Sequence, residues 1–268
     1  MSEDGPVRLM ELGWQDVEAY LDDAATPTAL VPIGSTEQHG PHLPLGVDTY
    51  EAEDVAEAVS DRTGVPVAPT IPYGDADHHL AFPGTISLST DTVVSVLVDV
   101  YESLLGHGFE NVITVNGHRI ANLPAIRTAM SAVAGDHEDA SFATVDLVRV
   151  AAEAHRELRD GDPDDGMHAG EFETSFMLAR HPDLVDSDSF VEETHSGFSR
   201  FRTNDLVGTG DAVVSPSTRH SPEDGDLGHV GDPTLATEAK GEALRERIVT
   251  NAVAFVEELR AHRAGDGD

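Results

Sequence analysis

A chain of 268 residues, 39% hydrophobic and 25% charged, can bury the core of one large α/β domain and is not a disordered acidic polymer. Asp and Glu number 50 against 16 Lys and Arg, a formal net charge of −34, which leaves no basic patch for a nucleic-acid backbone or an anionic membrane. There is no cysteine, hence no disulfide, thiol nucleophile or thiolate ligand, and no apolar run near the ~18 residues of a transmembrane helix.

Residues 13–22 predict a short helix bearing Trp14, Val17, Tyr20 and Leu21. The apolar run 28–33 predicts a buried strand, followed by a polar loop that holds Glu37, His39, His42 and Asp48 between glycines and prolines. Asp48 or Thr49 is expected to cap a helix reaching about Asp61. Segment 65–71 reads as a strand whose Pro66 and Pro69 point to an edge or irregular path. The loop 72–85 carries Asp75, Asp77, His78 and His79, and Thr90 is expected to cap an apolar helix over 91–106. A β-branched strand at 111–116 runs into Gly117-His118, and Asn122 is expected to open the next helix, to about Ala134, with Pro124 in its first turn. A strand at 141–147, a helix at 148–159, the acidic loop 160–165 and a helix ending near Arg180 follow. Residues 182–232 are rich in Asp, Ser and Gly and read as irregular, with a short strand or hairpin at 212–214; a last helix is expected over 235–262. Alternating strands and helices predict an α/β fold with a mainly parallel sheet flanked by helices, in one domain over 1–268.

Functional sites of such folds collect outside the carboxyl ends of the strands. The 37–48 loop follows the first strand there, and His118 follows the strand 111–116. Glu37 and His39, two apart in an extended segment, project to the same side. Carboxylates and imidazoles without thiolate suit Zn²⁺, Mn²⁺ or Fe²⁺, and a shared aspartate could bridge two ions that polarise a water between them. The competing reading makes Glu37 a cap or surface carboxylate and His39 a turn residue. His168 is a candidate proton shuttle, Glu173 could complete the coordination, and Glu171 also reads as an ordinary helix-dipole partner. His78 and His79, ahead of the turn 82–85, suit a substrate lid. His107, His137, His155, His181, His220 and His262 read as surface or capping residues. Gly34-Ser35-Thr36-Glu37-Gln38 is no nucleophile elbow, and the single lysine, Lys240, in the last predicted helix argues against Schiff-base chemistry.

The carboxylate coat with one lysine reads as the expected surface of a protein from a salt-accumulating halophile, the competing reading being an ordinary acidic protein of a mesophile. At molar salt the Debye length falls to about 3 Å, which screens the self-repulsion of the coat. The melting temperature is therefore expected to rise between about 0.1 and about 3 M KCl; an unchanged value would reject this reading. The acidic Met1-Ser2-Glu3-Asp4 start lacks a basic-then-apolar signal pattern, so the expected location is the cytoplasm.

Four motifs carry a more specific likeness. Gly34-Ser35-Thr36-Glu37-Gln38-His39-Gly40-Pro41-His42-Leu43-Pro44 with Asp48, then Phe82-Pro83-Gly84-Thr85, then Asn116-Gly117-His118 with Asn122, then His168-Ala169-Gly170-x-x-Glu173-Thr174-Ser175 resemble the creatininase (creatinine amidohydrolase) family, over about residues 8–190 and weakly to the end. The resemblance implies a layered α/β sandwich, two divalent metal ions (zinc, manganese or iron), a homo-oligomer that in creatininase is a hexamer, and hydrolysis of a C–N bond in a cyclic or small amide. It implies Glu37, His39, Asp48 and His118 as metal ligands, with Asp48 bridging, and His168 as the proton-transfer residue. Creatininase has a glutamate ligand two residues past the equivalent of His118, where this chain has Ile120; Glu173 is the expected replacement. Without it the second metal would be weak or absent, and the chain a non-catalytic metal-binding or structural member. His78, His79, Arg119 and Asn122 are the expected contacts to a small-molecule substrate. Creatininase closes its pocket with tryptophans from the later half of the chain, whereas the sole tryptophan here is Trp14, which disfavours creatinine. The alternative activity is formamide hydrolysis (a deformylase) on a formylaminopyrimidine ribonucleotide of flavin and deazaflavin biosynthesis, with Arg119, Arg200 and Arg202 as candidate phosphate anchors.

Overall fold

Three aligned parallel strands set the frame in the computed structural model, which describes residues 5–163, 166–194, 205, 207 and 219–265. Strands β1 (Thr28–Ile33), β2 (Asn111–Asn116) and β3 (Ser141–Asp146) pair in that order, with Ile33 beside Asn116 and Asn116 beside Asp146. All three end at one level, so the loops after β1 and β2 leave the same edge of the sheet. β1 and β2 are buried at every position, as strands covered on both faces are. Segment 65–71 makes only isolated bridges beside β1, at Val67 and Ile71. Pro66 and Pro69 lack the N–H a regular ladder needs, and the segment takes the irregular edge path they predict.

The helices are α1 (Trp14–Asp23), α2 (Val47–Thr63), α3 (Thr90–Gly106), α4 (Arg119–Ala134), α5 (Leu147–Val150), α6 (Ala152–Leu158), α7 (Glu171–Arg180) and α8 (Glu238–Gly265). Alternate strand side chains feed opposite faces of the sheet. Leu30, Ile113 and Val145 pack with Val55 and Val59 of α2 and Leu244, Ile248 and Val256 of α8. Ala29, Val31 and Val112 pack with Leu97 and Tyr101 of α3 and Ile126 and Val133 of α4. The result is the expected layered sandwich. Among the described residues, no helix is long and apolar enough to cross a membrane.

Several element ends differ from expectation. α2 starts at Val47 behind Gly46, so neither Asp48 nor Thr49 is its cap: Asp48 lies in the first turn, and the Thr49 hydroxyl donates to the Ser35 carbonyl at 2.9 Å. Ser89, not Thr90, caps α3 by accepting from the Thr92 N–H. α4 begins at Arg119, three residues before Asn122, with Pro124 inside it. The expected helix 148–159 breaks at Ala151 into α5 and α6. The residues before α7 form β4 (Gly166–His168), antiparallel to β5 (Val230–Gly231), a pairing of distant segments not anticipated from the sequence. The expected strand at 212–214 lies outside the described residues. Lys240, on α8, pairs with Glu171, with Asp160 at 2.7 Å and with the Leu235 carbonyl at 2.8 Å, while the Glu171 carboxylate also accepts the Asp160 and Gly161 N–H groups. The only lysine thus anchors the first turn of α7, the turn that carries Glu173. His155, expected at the surface, is buried with its ring edge-on to Phe172 at 4.4 Å.

Candidate metal centre

Two glycines let α2 reach the strand ends. A Cβ on Gly34 would meet the Thr49 nitrogen at 2.4 Å, and one on Gly117 would meet the Asp48 carbonyl oxygen at 2.0 Å. That close approach brings Asp48 beside the segments that follow β1 and β2. Gly117→Ala is therefore expected to displace the first turn of α2, lowering both the melting temperature and the bound metal. Wild-type metal content in that variant would show that the turn can move without harm. The loop after β1 is pinned from two sides: the Glu37 N–H donates to the Leu45 carbonyl at 2.9 Å, and the Gln38 N–H to the Thr85 hydroxyl at 3.1 Å.

Glu37, only 1% exposed, meets His39, Asp48 and His118 in the interior. His39 Nδ1–H donates to the Glu37 carbonyl at 3.1 Å, and its Nε2 lies 3.3 Å from Asp48 Oδ1. His118 Nε2–H donates to the Asp75 carbonyl at 2.9 Å, and its Nδ1 lies 3.1 Å from Asp48 Oδ2 and 3.5 Å from Glu37 Oε1. Each imidazole spends its N–H on a backbone carbonyl and turns the other nitrogen inward, the arrangement of ligating histidines. Neither His39 Nε2 nor Asp48 Oδ2 has a hydrogen-bond partner among the described residues. Buried polar atoms without partners are expensive, and a divalent cation supplies the missing one. Glu173 enters from α7, its carboxylate accepting the Ala169 N–H. Two donor sets result, Glu37/Asp48/His118 and His39/Asp48/Glu173, each with its ligand atoms within 4.8 Å of one another, and Asp48 belongs to both.

The electrostatics match this donor set. Burial opposes charge on His39, but the Asp48 carboxylate outweighs it and pushes the imidazole up to about 10. The same contest, with Glu37 and Asp48 as the opposing charges, pushes His118 up to about 10. Burial lifts Glu37 to about 7. Burial would raise Asp48 too, but His39 and His118 hold it below the usual carboxylate range. Without a cation the two imidazoles hold protons, which a bound dication would have to displace.

His168 lies against the cluster. Its Nε2–H donates to the Gln38 carbonyl at 2.8 Å, its Nδ1 is 3.8 Å from Glu37 Oε1, and its ring sits 4.4 Å from that of His39. Burial holds it well below the ordinary imidazole value, so it is neutral near pH 7. His79 stacks on His168 at 4.4 Å and His78 lies tilted against His79 at 4.1 Å, which places both at the cluster's edge.

The creatininase family model, described as creatinine amidohydrolase, matches residues 10–256. The chain belongs to the creatininase family. It is 33% identical over 245 residues to the mycofactocin precursor peptide peptidase of Mycolicibacterium smegmatis, covering 89% of this chain and 88% of that one. It is 29% identical over 252 residues to the creatinine amidohydrolase of Pseudomonas putida, covering 89% and 92%. The manganese form of creatininase superposes with a TM-score of 0.78 at 26% identity, and a Zn–Zn type creatininase variant with 0.76 at 26%, each covering 94% of this chain and 98% of the other. The family's fold and its hydrolase character are those the motifs implied.

Within the creatininase-family frame, some expected residues take other places. Ile120 is 47% exposed at the start of α4, whereas Glu173 lies in the cluster. Asn122 is not placed to bind substrate: it is fully buried, accepts the Asp75 N–H at 3.2 Å and donates to the Gly34 carbonyl at 3.1 Å, so it clamps two backbone segments under the site. The Arg119 guanidinium, an expected substrate contact and phosphate anchor, is tied through Nε to Asp146 on β3 at 3.0 Å. Arg200 and Arg202 lie outside the described residues. Several site residues escaped the sequence reading. His220, read as surface or capping, is buried and stacks on His79 at 5.9 Å. His229, also buried, packs edge-on to His42 at 5.2 Å and donates its Nε2–H to the Val191 carbonyl at 2.8 Å. Ala169 takes a left-handed φ of 49°, a conformation that costs about 1–3 kcal/mol in a non-glycine residue. It is held by its N–H bond to Glu173 and by His42, whose Nε2–H reaches the Ala169 carbonyl at 3.1 Å. Nothing in local sequence signals this strain.

Proposed function

We propose that this chain is a two-metal amide hydrolase, with Glu37, Asp48 and His118 holding one divalent ion, His39, Asp48 and Glu173 the other, and Asp48 shared between them. The observation that carries the reading is the pair of buried donor sets meeting at a carboxylate whose Oδ2 has no hydrogen-bond partner among the described residues. Divalent ions held there would polarise an amide carbonyl and lower the pKa of a water molecule. His168 is neutral and turns Nδ1 toward the cluster, so it can take the proton of the attacking water and pass it to the leaving nitrogen.

For substrate we infer an amide within a peptide rather than creatinine. The relatives named as peptide peptidases share 31–33% identity with this chain, above the 29% of the creatinine amidohydrolase. Trp14, the sole tryptophan, is 73% exposed on α1. The formylaminopyrimidine alternative would draw on Arg119, which Asp146 holds through Nε at 3.0 Å, and the assay decides it. The test is an assay in high salt with Mn²⁺ or Zn²⁺ supplied, against short peptides, creatinine and a formylaminopyrimidine nucleotide. Metal-dependent cleavage of peptides is expected. Turnover of creatinine alone would replace the peptide reading, and a protein that holds two metals per chain yet cleaves none of these would overturn the hydrolase assignment.

A further inference from the structure

Gln38 lies between Glu37 and His39, is 4% exposed, and has no place in the ligand sets. Its Oε1 accepts the Gly40 N–H at 2.9 Å and its Nε2 donates to the Gly228 carbonyl at 2.6 Å. These two contacts decide which end of the amide is oxygen, because a backbone N–H cannot accept and a carbonyl cannot donate. Gly228, at a φ of +99°, makes room: a Cβ there would stand 2.1 Å from Gln38 Oε1.

Gln38 Nε2 has one hydrogen left and two imidazole nitrogens near it, His79 Nδ1 at 2.9 Å and His168 Nε2 at 3.0 Å. His168 Nε2 also lies 2.8 Å from the Gln38 carbonyl oxygen, so it must carry a proton and donate there. It cannot also accept from Gln38. The remaining hydrogen goes to His79 Nδ1, which must then be bare. A bare Nδ1 leaves the His79 proton on Nε2, and that nitrogen faces Glu37 Oε1 at 3.8 Å, the same oxygen that His168 Nδ1 faces at 3.8 Å.

We propose that Gln38 is a positioning residue that sets complementary tautomers on two stacked imidazoles, so that His168 presents a lone pair to the reacting groups and His79 an N–H. The inference rests on the hydrolase reading for its chemistry. His168 accepts and returns the proton, while His79 donates a hydrogen bond to the amide oxygen as negative charge develops on it. The assignment also decides a coordination question. Glu37, His78 and His79 form another possible metal set, but a histidine ligating through Nε2 needs an Nδ1–H facing an acceptor, and His79 Nδ1 faces a donor. That set is not a third metal position.

The test uses zinc-loaded, ¹⁵N-histidine-labelled protein, in which nitrogen shifts report the tautomer directly. The His79 resonance, identified by its loss in His79→Asn, is expected to show an Nε2–H imidazole. Gln38→Glu places an acceptor opposite His79 Nδ1 and should draw the proton to that side, lowering kcat about 10-fold or more with KM and zinc content unchanged. A wild-type His79 protonated on Nδ1 overturns the proposal, as does a Gln38→Glu enzyme with full kcat or one that has lost its zinc. If Gln38→Glu does not fold, the wild-type spectrum still decides. If the wild-type protein cleaves no amide, the hydrolase reading fails while the tautomer assignment stands or falls on the spectrum alone.

Discussion

Asp48→Asn is expected to empty both ligand sets at once. Asp48 is the residue common to the two sets, and its Oδ2 is buried without a hydrogen-bond partner among the described residues. An asparagine keeps the shape, but it has one oxygen where two are needed and no charge to offset a dication. Weakening a contact one shell further from a metal already costs about 10–100-fold in affinity or activity, so loss of a bridging ligand should cost more than about 100-fold in turnover. Elemental analysis after purification in high salt should find less than one ion per chain. Glu37→Gln, which of the two proposed ion sites touches only the Glu37/Asp48/His118 one, should leave one ion. Undiminished metal in Asp48→Asn would rule out the bridge. The protons of the metal-free cluster add a pH dependence. His39 and His118 are pushed up to about 10 when no cation is present, so each ion must displace protons to bind. A raised imidazole value favours the protonated, metal-free form as pH falls; dialysis at about pH 6 should therefore strip more metal than dialysis at about pH 8.

How much of this was legible in the sequence depends on whether the cause is local. The strands β1 and β2 were, because unbroken apolar and β-branched runs bounded by turn residues leave few alternatives. Glu37, His39 and Asp48 were, because ligand-type side chains crowd the loop after a buried strand. The starts of α2 and α4 were misread for one reason: Asp48 and Asn122 are residue types that usually cap helices, and here both are committed elsewhere. Asp48 turns into the cluster, and Asn122 spans the Gly34 carbonyl and the Asp75 N–H. A propensity cannot anticipate a partner 47 or 88 residues away. His155, His220 and His229 were missed likewise, since their burial depends on Phe172 packing against α6 and on residues 219–231 returning to the site. Glu173 was legible as a carboxylate that could complete the coordination, but what holds it in place, Lys240 at the start of α7 and the left-handed Ala169, is three-dimensional.

His168→Ala is expected to lower kcat by about 100-fold or more while both ions stay bound. The geometry permits two roles for this imidazole. Its inward Nδ1, with Nε2–H tied to the Gln38 carbonyl, is the posture of a ligand as much as of a base, and Glu37, His39 and His168 together form a possible metal set. The distances favour the base. His168 Nδ1 stays 3.8 Å from the nearest carboxylate oxygen of the cluster, whereas the inward nitrogens of His39 and His118 approach Asp48 to 3.3 and 3.1 Å. Metal content in His168→Ala separates the roles, because loss of an ion would make His168 a ligand. The pH profile gives a second reading. Burial lowers the His168 value, so the neutral, proton-accepting form persists to lower pH than it would for an exposed imidazole. On metal-saturated enzyme, the wild-type kcat should therefore stay level as pH falls from about 8 to about 6.5, the ordinary histidine value. A kcat that halves by that ordinary value would mean that the group carrying the proton is exposed, and His168 is not it.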